Sequence, residues 1–235
     1  MDKPSIVIFF PVYDDEATVE TVAMKSLQVL SDIASRYKVI IVDDGSPDKS
    51  GEIADELAEK YPDILSIRHK KNMGYGAALM TGFKHSAGYD WICFTDGDDQ
   101  YDVNELYHIS KLLHHFDMIV TFRYTKIYGT FRIFMSYVYN LLIRLLFKSR
   151  FRDHNCGLKL IRSSTVADLD IDSVSPFIGA ELIIKTMVKG YPIGEVGIQT
   201  YPRNFGESHS TSLYNIYASI RDMIKVYRKL FKIQS

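Results

Sequence analysis

The sequence predicts an α/β fold in which a mostly parallel β-sheet is flanked by helices on both faces. Short apolar runs alternate with helix-like segments along the first half of the 235-residue chain. The runs are apolar at nearly every position, which is typical of parallel strands buried on both faces. Acidic and polar residues follow several runs at their carboxyl ends, where ligands bind in open α/β sheets. The sequence therefore predicts one core with a ligand site at one edge of the sheet.

The predicted strands and helices alternate in order. The strands cover residues 5–10, 38–42, 91–94 and 118–121, with a weaker candidate at 65–68. The helices cover residues 16–36, 47–61, 72–86 and 102–115. Asp14 or Asp15 is the expected N-cap of the first helix, since short acidic side chains accept hydrogen bonds from free amides there.

Composition indicates a globular protein. With 46% apolar and 24% charged residues, the chain can bury one substantial core, so one domain with an appendage is expected. Cys93 and Cys156 are too few and too distant for a disulfide framework or a thiolate zinc site, which favours a reducing compartment. The first residues lead directly into a strand-like run and lack the pattern of a signal peptide.

Charge is distributed unequally between the two halves of the chain. Residues 1–120 contain 11 Lys and Arg against 21 Asp and Glu, whereas residues 121–235 contain 17 against 8. The basic half is also rich in aliphatic and aromatic residues. Such a surface suits phosphates or anionic lipid headgroups, with nucleic acid the less favoured partner.

The turn after the strand at residues 91–94 is the main candidate for a metal site. Asp96 and Asp98 stand at positions i and i+2, so both can reach one hard cation, which prefers oxygen ligands. Gln100 could add a carbonyl oxygen, and a nucleotide diphosphate would fill the remaining positions. An acidic surface turn is the alternative. The ligand hypothesis is favoured because residues 11–13 and 43–46 also follow strands at the same predicted edge.

A helix is predicted over residues 131–148, and it is apolar nearly all round. Its charge-free run, from Ile133 to Ile143, has 11 residues, well short of the roughly 20 that span a bilayer. The segment is therefore expected not to cross a membrane. A buried core helix and an interfacial helix with flanking Arg and Lys residues both remain open.

The last predicted helix covers residues 213–232 and has two unlike faces. Apolar residues recur at spacings of three and four, and the opposite face carries a net charge of +4. One interpretation is a helix docked on the domain with its basic face in solvent. The other is a helix that binds a membrane surface or a partner.

Four motifs occur in an order that resembles family-2, inverting glycosyltransferases of GT-A fold. They are Pro11-x-Tyr13-Asp14-Asp15, residues 42–48, Asn72-x-Gly74-x-Gly76-Ala77 and Asp96-x-Asp98-x-Gln100. The chain more narrowly resembles the dolichol-phosphate mannose synthase group and its bacterial polyprenyl-phosphate relatives. That likeness rests on Arg123, Arg132 with Ser136, residues 153–159, Glu195-Val196 and residues 203–209. The match runs from about residue 5 to residue 210.

The resemblance implies transfer of a sugar, with inversion, from a nucleotide-sugar donor of the GDP-mannose or UDP-hexose type. The acceptor would be a polyprenyl or dolichyl phosphate at the cytoplasmic face of a membrane. Residues 1–212 would form one catalytic domain, with a donor and metal half (1–125) and an acceptor half (126–212), followed by a basic helix at 213–235. A membrane protein or a second copy of the chain is a further expected partner.

The resemblance also implies roles for individual residues. The donor nucleotide would contact Pro11, Tyr13, Asp15, Asp43, Asp44 and Asp96. Mg²⁺ or Mn²⁺ would be held by Asp96, Asp98 and Gln100. The acceptor phosphate would lie near Arg132, Ser136, Ser208 and His209. The catalytic residues would be Asp98, Arg123, Asp153 and Arg203.

The sequence departs from the family pattern at two places. Asp14-Asp15 stands where the family commonly has Asn-Glu, which shortens one carboxylate by a methylene. His209 stands where Lys is common, and a histidine is only partly charged near neutral pH.

The sequence leaves three alternatives to sugar transfer onto a lipid phosphate. One is a family-2 transferase with a soluble saccharide acceptor, which would need a general base; Glu181 and Asp153 are the candidates. A phosphate acceptor needs no such base, because it is already anionic near neutral pH. A phosphatase of the haloacid-dehalogenase type is less favoured, because its Asp-x-Asp motif usually opens the chain. A non-catalytic membrane assembly subunit is disfavoured by the intact set of predicted metal ligands.

Overall fold

Within the described residues, seven strands form one mixed sheet. A computed structural model describes residues 3–125, 127, 129–202 and 212–231. The strands are β1 (Ser5–Val12), β2 (Arg36–Asp43), β3 (Ile64–Arg68), β4 (Trp91–Phe94), β5 (Met118–Arg123), β6 (Lys159–Arg162) and β7 (Ile193–Ile198). Their order in the sheet is β3-β2-β1-β4-β6-β5-β7. Only β6 runs antiparallel to its neighbours among these strands, so the prediction of a mostly parallel sheet is confirmed.

Helices cover both faces of the sheet. They are α1 (Val19–Ile33), α2 (Ser50–Lys60), α3 (Tyr75–His85), α4 (Leu106–Ile109), α5 (Thr130–Phe147), α6 (Ser163–Asp168), α7 (Ile178–Val188) and α8 (Leu213–Phe231). Alternate side chains of β1 enter two separate clusters: Ile6 and Ile8 pack on one face, and Val7 and Phe9 on the other. This explains why the strand is apolar at every position.

Several predicted boundaries are wrong. The first helix begins at Val19 rather than near residue 16, and its N-cap is Thr18 rather than Asp14 or Asp15. The Asp15 side chain instead accepts the amide of Tyr13 at 3.2 Å. Arg36 belongs to β2, not to the helix. The helix predicted over residues 102–115 is α4 between two short 3₁₀ turns.

The parallel arrangement brings the strand ends to one edge of the sheet. Val12 at the end of β1 pairs with Asp43 at the end of β2, and Phe9 pairs with Phe94 at the end of β4. The antiparallel β6 begins there, because Lys159 pairs with both Phe94 and Val120. We call the loops at this place, residues 11–15, 43–46 and 95–100, the carboxyl edge.

Helices α5 and α8 pack together away from the sheet. Their contact includes Phe147, which lies 5.8 Å from Tyr227 and 6.3 Å from Phe231 between ring centroids. The other side of each helix exposes large apolar side chains. On α5 these include Phe131, Phe134, Tyr137 and Leu145, and on α8 Leu213, Tyr214, Tyr217, Ile220 and Ile224. We call these residues the outer apolar face.

The outer apolar face decides between the interpretations of both segments. Only 17% of α5 is buried within the protein, so the buried core helix is wrong. Helix α8 is docked on the domain as one interpretation expected, because Met223 and Val226 are buried against α5 and α7. Its basic side chains stay partly in solvent while they form ion pairs: Arg221, Lys225 and Lys229 are 56%, 56% and 42% exposed. The apolar stripe, however, lies mostly in solvent rather than against the domain.

Length and composition alone would allow α5 to cross a membrane. The prediction that this segment is too short to span is therefore not confirmed.

Candidate functional site

The carboxyl edge is held together by contacts between its loops. The Thr18 hydroxyl donates a hydrogen bond to the Gly97 carbonyl at 2.7 Å. Gly97 lies so close to β1 that a Cβ there would be 2.8 Å from the Pro11 carbonyl oxygen. Glycine is therefore required between the two aspartates. On the far side, Lys25 of α1 binds the Asp99 carboxylate at 2.9 Å.

Asp96 and Asp98, the predicted metal ligands, lie on one turn at this edge. The Tyr75 hydroxyl donates to Asp96 Oδ1 at 2.9 Å. Asp98 Oδ1 accepts the Gln100 amide at 3.2 Å, and Gln100 Nε2 donates to the Tyr201 carbonyl at 3.3 Å. Burial, together with Asp96 and Asp98, holds the pKa of Tyr75 well above its usual value. The tyrosine therefore stays protonated and acts as the donor.

The chemistry of this turn fits a divalent cation held partly by substrate. Among the described residues, no group of three or more His, Cys, Asp or Glu residues could hold a metal by itself. Mg²⁺ is commonly bound through one or two carboxylates plus substrate phosphates rather than by an all-protein cage. Asp96 and Asp98 supply such a pair of hard oxygen ligands, and Gly157 leaves room beside Asp96 Oδ2, where a Cβ would lie at 2.5 Å.

Asp43 and Asp44, predicted to contact the donor nucleotide, also brace the loops. Asp43 is buried, accepts the Ser46 amide at 2.9 Å and pairs with Arg68 at 3.2 Å. Asp44 accepts the amides of Met73 and Gly74 at 2.9 and 2.8 Å. These bonds fix the turn that precedes α3.

His69 completes the surroundings of Asp44. Its Nδ1 lies 2.7 Å from Asp44 Oδ1, and its Nε2 lies 2.9 Å from the Thr81 hydroxyl. Sequence reasoning did not single out His69, and its position directly after β3 is the signal that could have found it.

The end of β1 and the loop after it place Pro11, Tyr13 and Asp15 at the same edge. The Asp15 amide donates to the Ser50 hydroxyl at 2.9 Å, which ties this loop to the start of α2. Asp14 has a φ of 61°, a left-handed conformation that is uncommon for residues other than glycine. The sequence-predicted nucleotide-binding residues are thus brought together with the aspartate pair.

Arg123 and Asp153 form a buried ion pair. Arg123 Nε donates to Asp153 Oδ2 at 2.7 Å, and its Nη2 donates to Oδ1 at 3.0 Å. Such a fork fixes the plane of the guanidinium as well as its charge. Burial lowers the pKa of Arg123, but Tyr101 and Asp153 raise it by more, so the net shift is upward. The arginine is therefore ionised at any working pH.

Asp153 and Glu181, the candidate general bases, are both engaged in ion pairs. Asp153 holds Arg123 and also accepts the Asn155 amide at 3.2 Å. Glu181 is fully buried, lies 2.6 Å from Lys185 and accepts the amides of Asp172 and Ser173. This arrangement favours structural roles for the two carboxylates.

A buried polar cluster links α5 to the loop that precedes β6. The His154 amide and Nδ1 both contact Asn140 Oδ1 of α5 at 2.9 Å, and Nε2 contacts the Ser149 hydroxyl at 2.8 Å. Burial, and next the charge of Lys159, lowers the pKa of His154 to about 4. The imidazole is therefore neutral near neutral pH. Lys159 itself is buried and donates to the Cys156 carbonyl.

The predicted acceptor residues are only partly within the described chain. Arg132 and Ser136 lie one turn apart on α5, as predicted, and both are half-buried. The Ser136 carbonyl accepts Asn140 Nδ2 at 2.8 Å, so the helix turn that carries the pair is fixed to the cluster around His154. Arg203, Ser208 and His209 lie outside the described residues.

A parallel-rich α/β sheet with an Asp-x-Asp turn at its carboxyl edge is the arrangement of GT-A glycosyltransferases. The chain superposes on glucosyl-3-phosphoglycerate synthase from Mycobacterium tuberculosis, solved with Mn²⁺, UDP and product, with a TM-score of 0.69. The two are 19% identical, and the match covers 99% of this chain and 81% of the other. A complex of the same enzyme with Mg²⁺ and UDP gives the same TM-score. These likenesses confirm the fold.

The chain belongs to glycosyl transferase family 2, whose model matches residues 7–166. It is 26% identical over 218 residues to an undecaprenyl-phosphate 4-deoxy-4-formamido-L-arabinose transferase of Pectobacterium carotovorum, covering 88% of the chain and 63% of the relative. The protein of that description from Photorhabdus laumondii is 30% identical over 209 residues, covering 88% of the chain and 62% of the relative. The chain thus spans less than two thirds of the length of these relatives.

Proposed function

We propose that the protein transfers a sugar, with inversion, from a nucleotide-sugar donor to a polyprenyl phosphate at the cytoplasmic face of a membrane. The family and the relatives support the reaction class. One structural observation, the position of α5, carries the choice of acceptor. This helix bears Arg132 and Ser136 and presents part of the outer apolar face. Its Asn140 is hydrogen-bonded to His154, the residue that follows Asp153. A single helix thus carries an apolar surface together with a cationic group, Arg132, and is hydrogen-bonded to the residue next to Asp153.

The donor would bind across the carboxyl edge. Tyr13, Asp15 and Asp44 would line the nucleoside, and Asp96, Asp98 and Gln100 would hold Mg²⁺ or Mn²⁺ against the diphosphate. The metal, when bound, would stabilise negative charge on the leaving oxygen. Residues Pro11 and Asp43 would support this surface from the adjoining strand ends.

The acceptor would need an anion site rather than a base. A phosphomonoester is already anionic near neutral pH, because its second pKa is about 6. Arg132 and Ser136 would hold its phosphate, and Arg123, kept ionised and in plane by Asp153, would stabilise charge between donor and acceptor. Arg203, Ser208 and His209 would complete the site. Glu181 and Asp153 are engaged in ion pairs, which disfavours a soluble sugar hydroxyl as the acceptor.

The outer apolar face would seat the protein on the membrane. Its exposed Phe, Tyr, Leu and Ile side chains form a large apolar surface, the kind that marks a membrane or protein contact. Two lysines and an arginine of α8 are already paired with Asp170, Asp172 and Asp222. Binding is therefore expected to depend more on apolar contact than the helix charge suggests.

Replacing Arg132 by alanine tests the acceptor assignment. Losing a charge-assisted hydrogen bond to phosphate costs about 1.5–3 kcal/mol, or roughly 10- to 150-fold in acceptor KM. Donor KM should change little, since the guanidinium is assigned to the acceptor. Kinetics with a short polyprenyl phosphate at saturating donor would measure both constants.

Arg150→Ala is the matched control, since Arg150 is exposed in the turn after α5. It should leave acceptor KM within about twofold, because a surface charge of this kind contributes little. A loss of donor affinity in Arg132→Ala with unchanged acceptor KM would contradict the lipid-phosphate assignment and favour a soluble acceptor.

A further inference from the structure

Tyr75 opens α3 within the Asn72-Met73-Gly74-Tyr75-Gly76 motif, to which the proposed function gives no role. Its ring is partly buried against the core on one face of the sheet. Its hydroxyl reaches across to Asp96 Oδ1 at 2.9 Å. The contact joins residues 21 positions apart in the sequence, so it depends on how α3 is seated at the end of β4.

The start of α3 is held firmly where this contact forms. Gly74 has a φ of 91°, a conformation that glycine adopts without strain, and its amide donates to Asp44. Gly76 lies against the backbone of Val174, where a Cβ would be only 2.3 Å from the carbonyl oxygen. The backbone at Tyr75 is therefore held in place, which fixes the position from which the side chain reaches Asp96.

The Asp96 carboxylate is bounded on two sides. Tyr75 donates to Oδ1, and the backbone of Gly157 passes close to Oδ2. The donor on Oδ1 is a neutral hydroxyl. A neutral donor orients a carboxylate without itself adding a positive charge beside it.

We propose that Tyr75 is a positioning residue that sets the orientation of Asp96 for a divalent cation bound with the donor diphosphate. This rests on the proposed function, in which Asp96 is a metal ligand. Hydrogen-bond partners of metal ligands orient them, and their loss commonly costs about 10- to 100-fold in metal affinity. The Asn-x-Gly-x-Gly motif then has a second role besides forming a turn, because it carries the residue that orients the metal ligand Asp96.

Tyr75→Phe tests this directly, because it removes the hydroxyl and keeps the ring that packs in the core. Mn²⁺ is titrated into the full chain with UDP and, in parallel, with GDP, and free Mn²⁺ is read from its electron paramagnetic resonance signal. We expect Mn²⁺ to bind about 10-fold more weakly in the variant. Nucleotide binding in EDTA should stay unchanged, and so should the melting temperature, within a few degrees.

Tyr107→Phe is the matched control. It also removes a tyrosine hydroxyl that donates to an aspartate, in this case Asp32 at 2.6 Å on the surface. Its Mn²⁺ affinity should equal that of the wild type. An additional comparison uses Asp96→Asn: adding Tyr75→Phe to that variant should weaken Mn²⁺ binding by much less than it does in the wild type, because the two residues act through one contact.

The outcomes separate this inference from the function on which it rests. Wild-type affinity for Mn²⁺ in Tyr75→Phe would overturn the positioning role and leave the metal in the proposed function. A parallel loss of Mn²⁺ binding and of metal-free nucleotide binding would also overturn it, since that indicates a general disturbance of the edge. A wild-type chain that binds no Mn²⁺ with either nucleotide would remove the metal from the proposed function, and this inference with it.

Discussion

Asp44 and Asp96 at the carboxyl edge are held differently from Asp172 beneath α8. At the edge, Asp44 accepts backbone amides and Asp96 accepts a neutral tyrosine hydroxyl. Beneath α8, Asp172 contacts Lys185 at 2.8 Å, Lys225 at 3.3 Å and Lys229 at 2.8 Å. Burial raises the pKa of Asp172, but hydrogen bonds from Lys185 and Lys229 outweigh it and hold that pKa far below the usual value.

In the proposed function, Asp44 and Asp96 bind the donor and its cation, whereas Asp172 stabilises the fold. The charge of Asp172 is offset within the protein by three lysines. This arrangement also ties α8 to the domain through Lys225 and Lys229, whose side chains stay 56% and 42% exposed. Asp222 anchors the helix by accepting the amides of Val174 and Ser175 at 3.2 and 3.1 Å. The apolar stripe is then left on the outside.

The largest effect is expected from Asp98→Ala at the carboxyl edge. Loss of an outer-shell partner alone costs about 10- to 100-fold in metal affinity, so loss of a ligand should weaken metal-dependent donor binding by more than about 100-fold. Calorimetry with Mn²⁺ and a nucleotide sugar measures this, and circular dichroism checks the fold.

Asp99→Asn is the control for this change, because Asp99 is the adjacent carboxylate but is paired with Lys25. It should keep nearly all donor affinity. Unchanged affinity for the nucleotide sugar in Asp98→Ala would show that the Asp-x-Asp turn does not bind the metal. The difference between the carboxyl edge and the segment beneath α8 would then not reflect ligand binding.

A smaller effect is expected on the outer apolar face from the double change Ile220→Asp and Ile224→Asp. The two side chains are 49% and 46% exposed, so the fold should tolerate the change. Each substitution should remove about 1 kcal/mol of apolar contact with lipid. The two together should lower the vesicle partition coefficient roughly 30-fold. Flotation with vesicles of phosphatidylglycerol and phosphatidylethanolamine measures it, and donor binding should be unaffected.

Met80→Asp serves as the matched control for the double change. Met80 is 39% exposed on α3, outside the outer apolar face. Its replacement should leave flotation unchanged. If the α8 variant still floats with the vesicles, the α8 part of the outer apolar face does not hold the protein on the membrane.

The strands of the first half could be predicted because their residues are apolar on both faces and acidic at their ends. Strands β6 and β7 could not. The four residues of β6 begin and end with a cation, and β7 contains Gly194, Glu195 and Gly197, which are poor strand formers. Their places in the sheet depend on pairing with β4 and β5, and no local pattern encodes that.

The site could be predicted only in part, for a related reason. Asp96 and Asp98 were found because their spacing is local. Tyr75 was missed because its contact with Asp96 depends on how α3 packs. The periodicity of α8 revealed an apolar stripe correctly, but a stripe does not say which side faces the protein. The ion pairs of Asp170 and Asp172 with Lys229 decide that in the structure.

The smallest expected effects concern backbone strain, which also differs between the two regions. Among the described residues, three that are not glycine have a positive φ: Asp14, Asp99 and Lys148. Two of them lie in the carboxyl edge, whereas Lys148, with a φ of 53°, directly follows α5. Helices commonly end in this conformation with glycine at that position.

Two substitutions, Lys148→Gly and Asp14→Gly, compare backbone strain at the end of a helix with backbone strain in the candidate site. A left-handed residue with a Cβ costs about 1–2 kcal/mol, and glycine's greater freedom in the unfolded chain cancels part of the gain. Each change should therefore raise the free energy of unfolding by about 0.5–1 kcal/mol in urea titrations. Only Asp14→Gly should also weaken donor binding, because residue 14 lies between Tyr13 and Asp15 and its fixed backbone aims both. Equal donor affinity in the two variants would show that the strained loop contributes no more to the site than the end of α5 does.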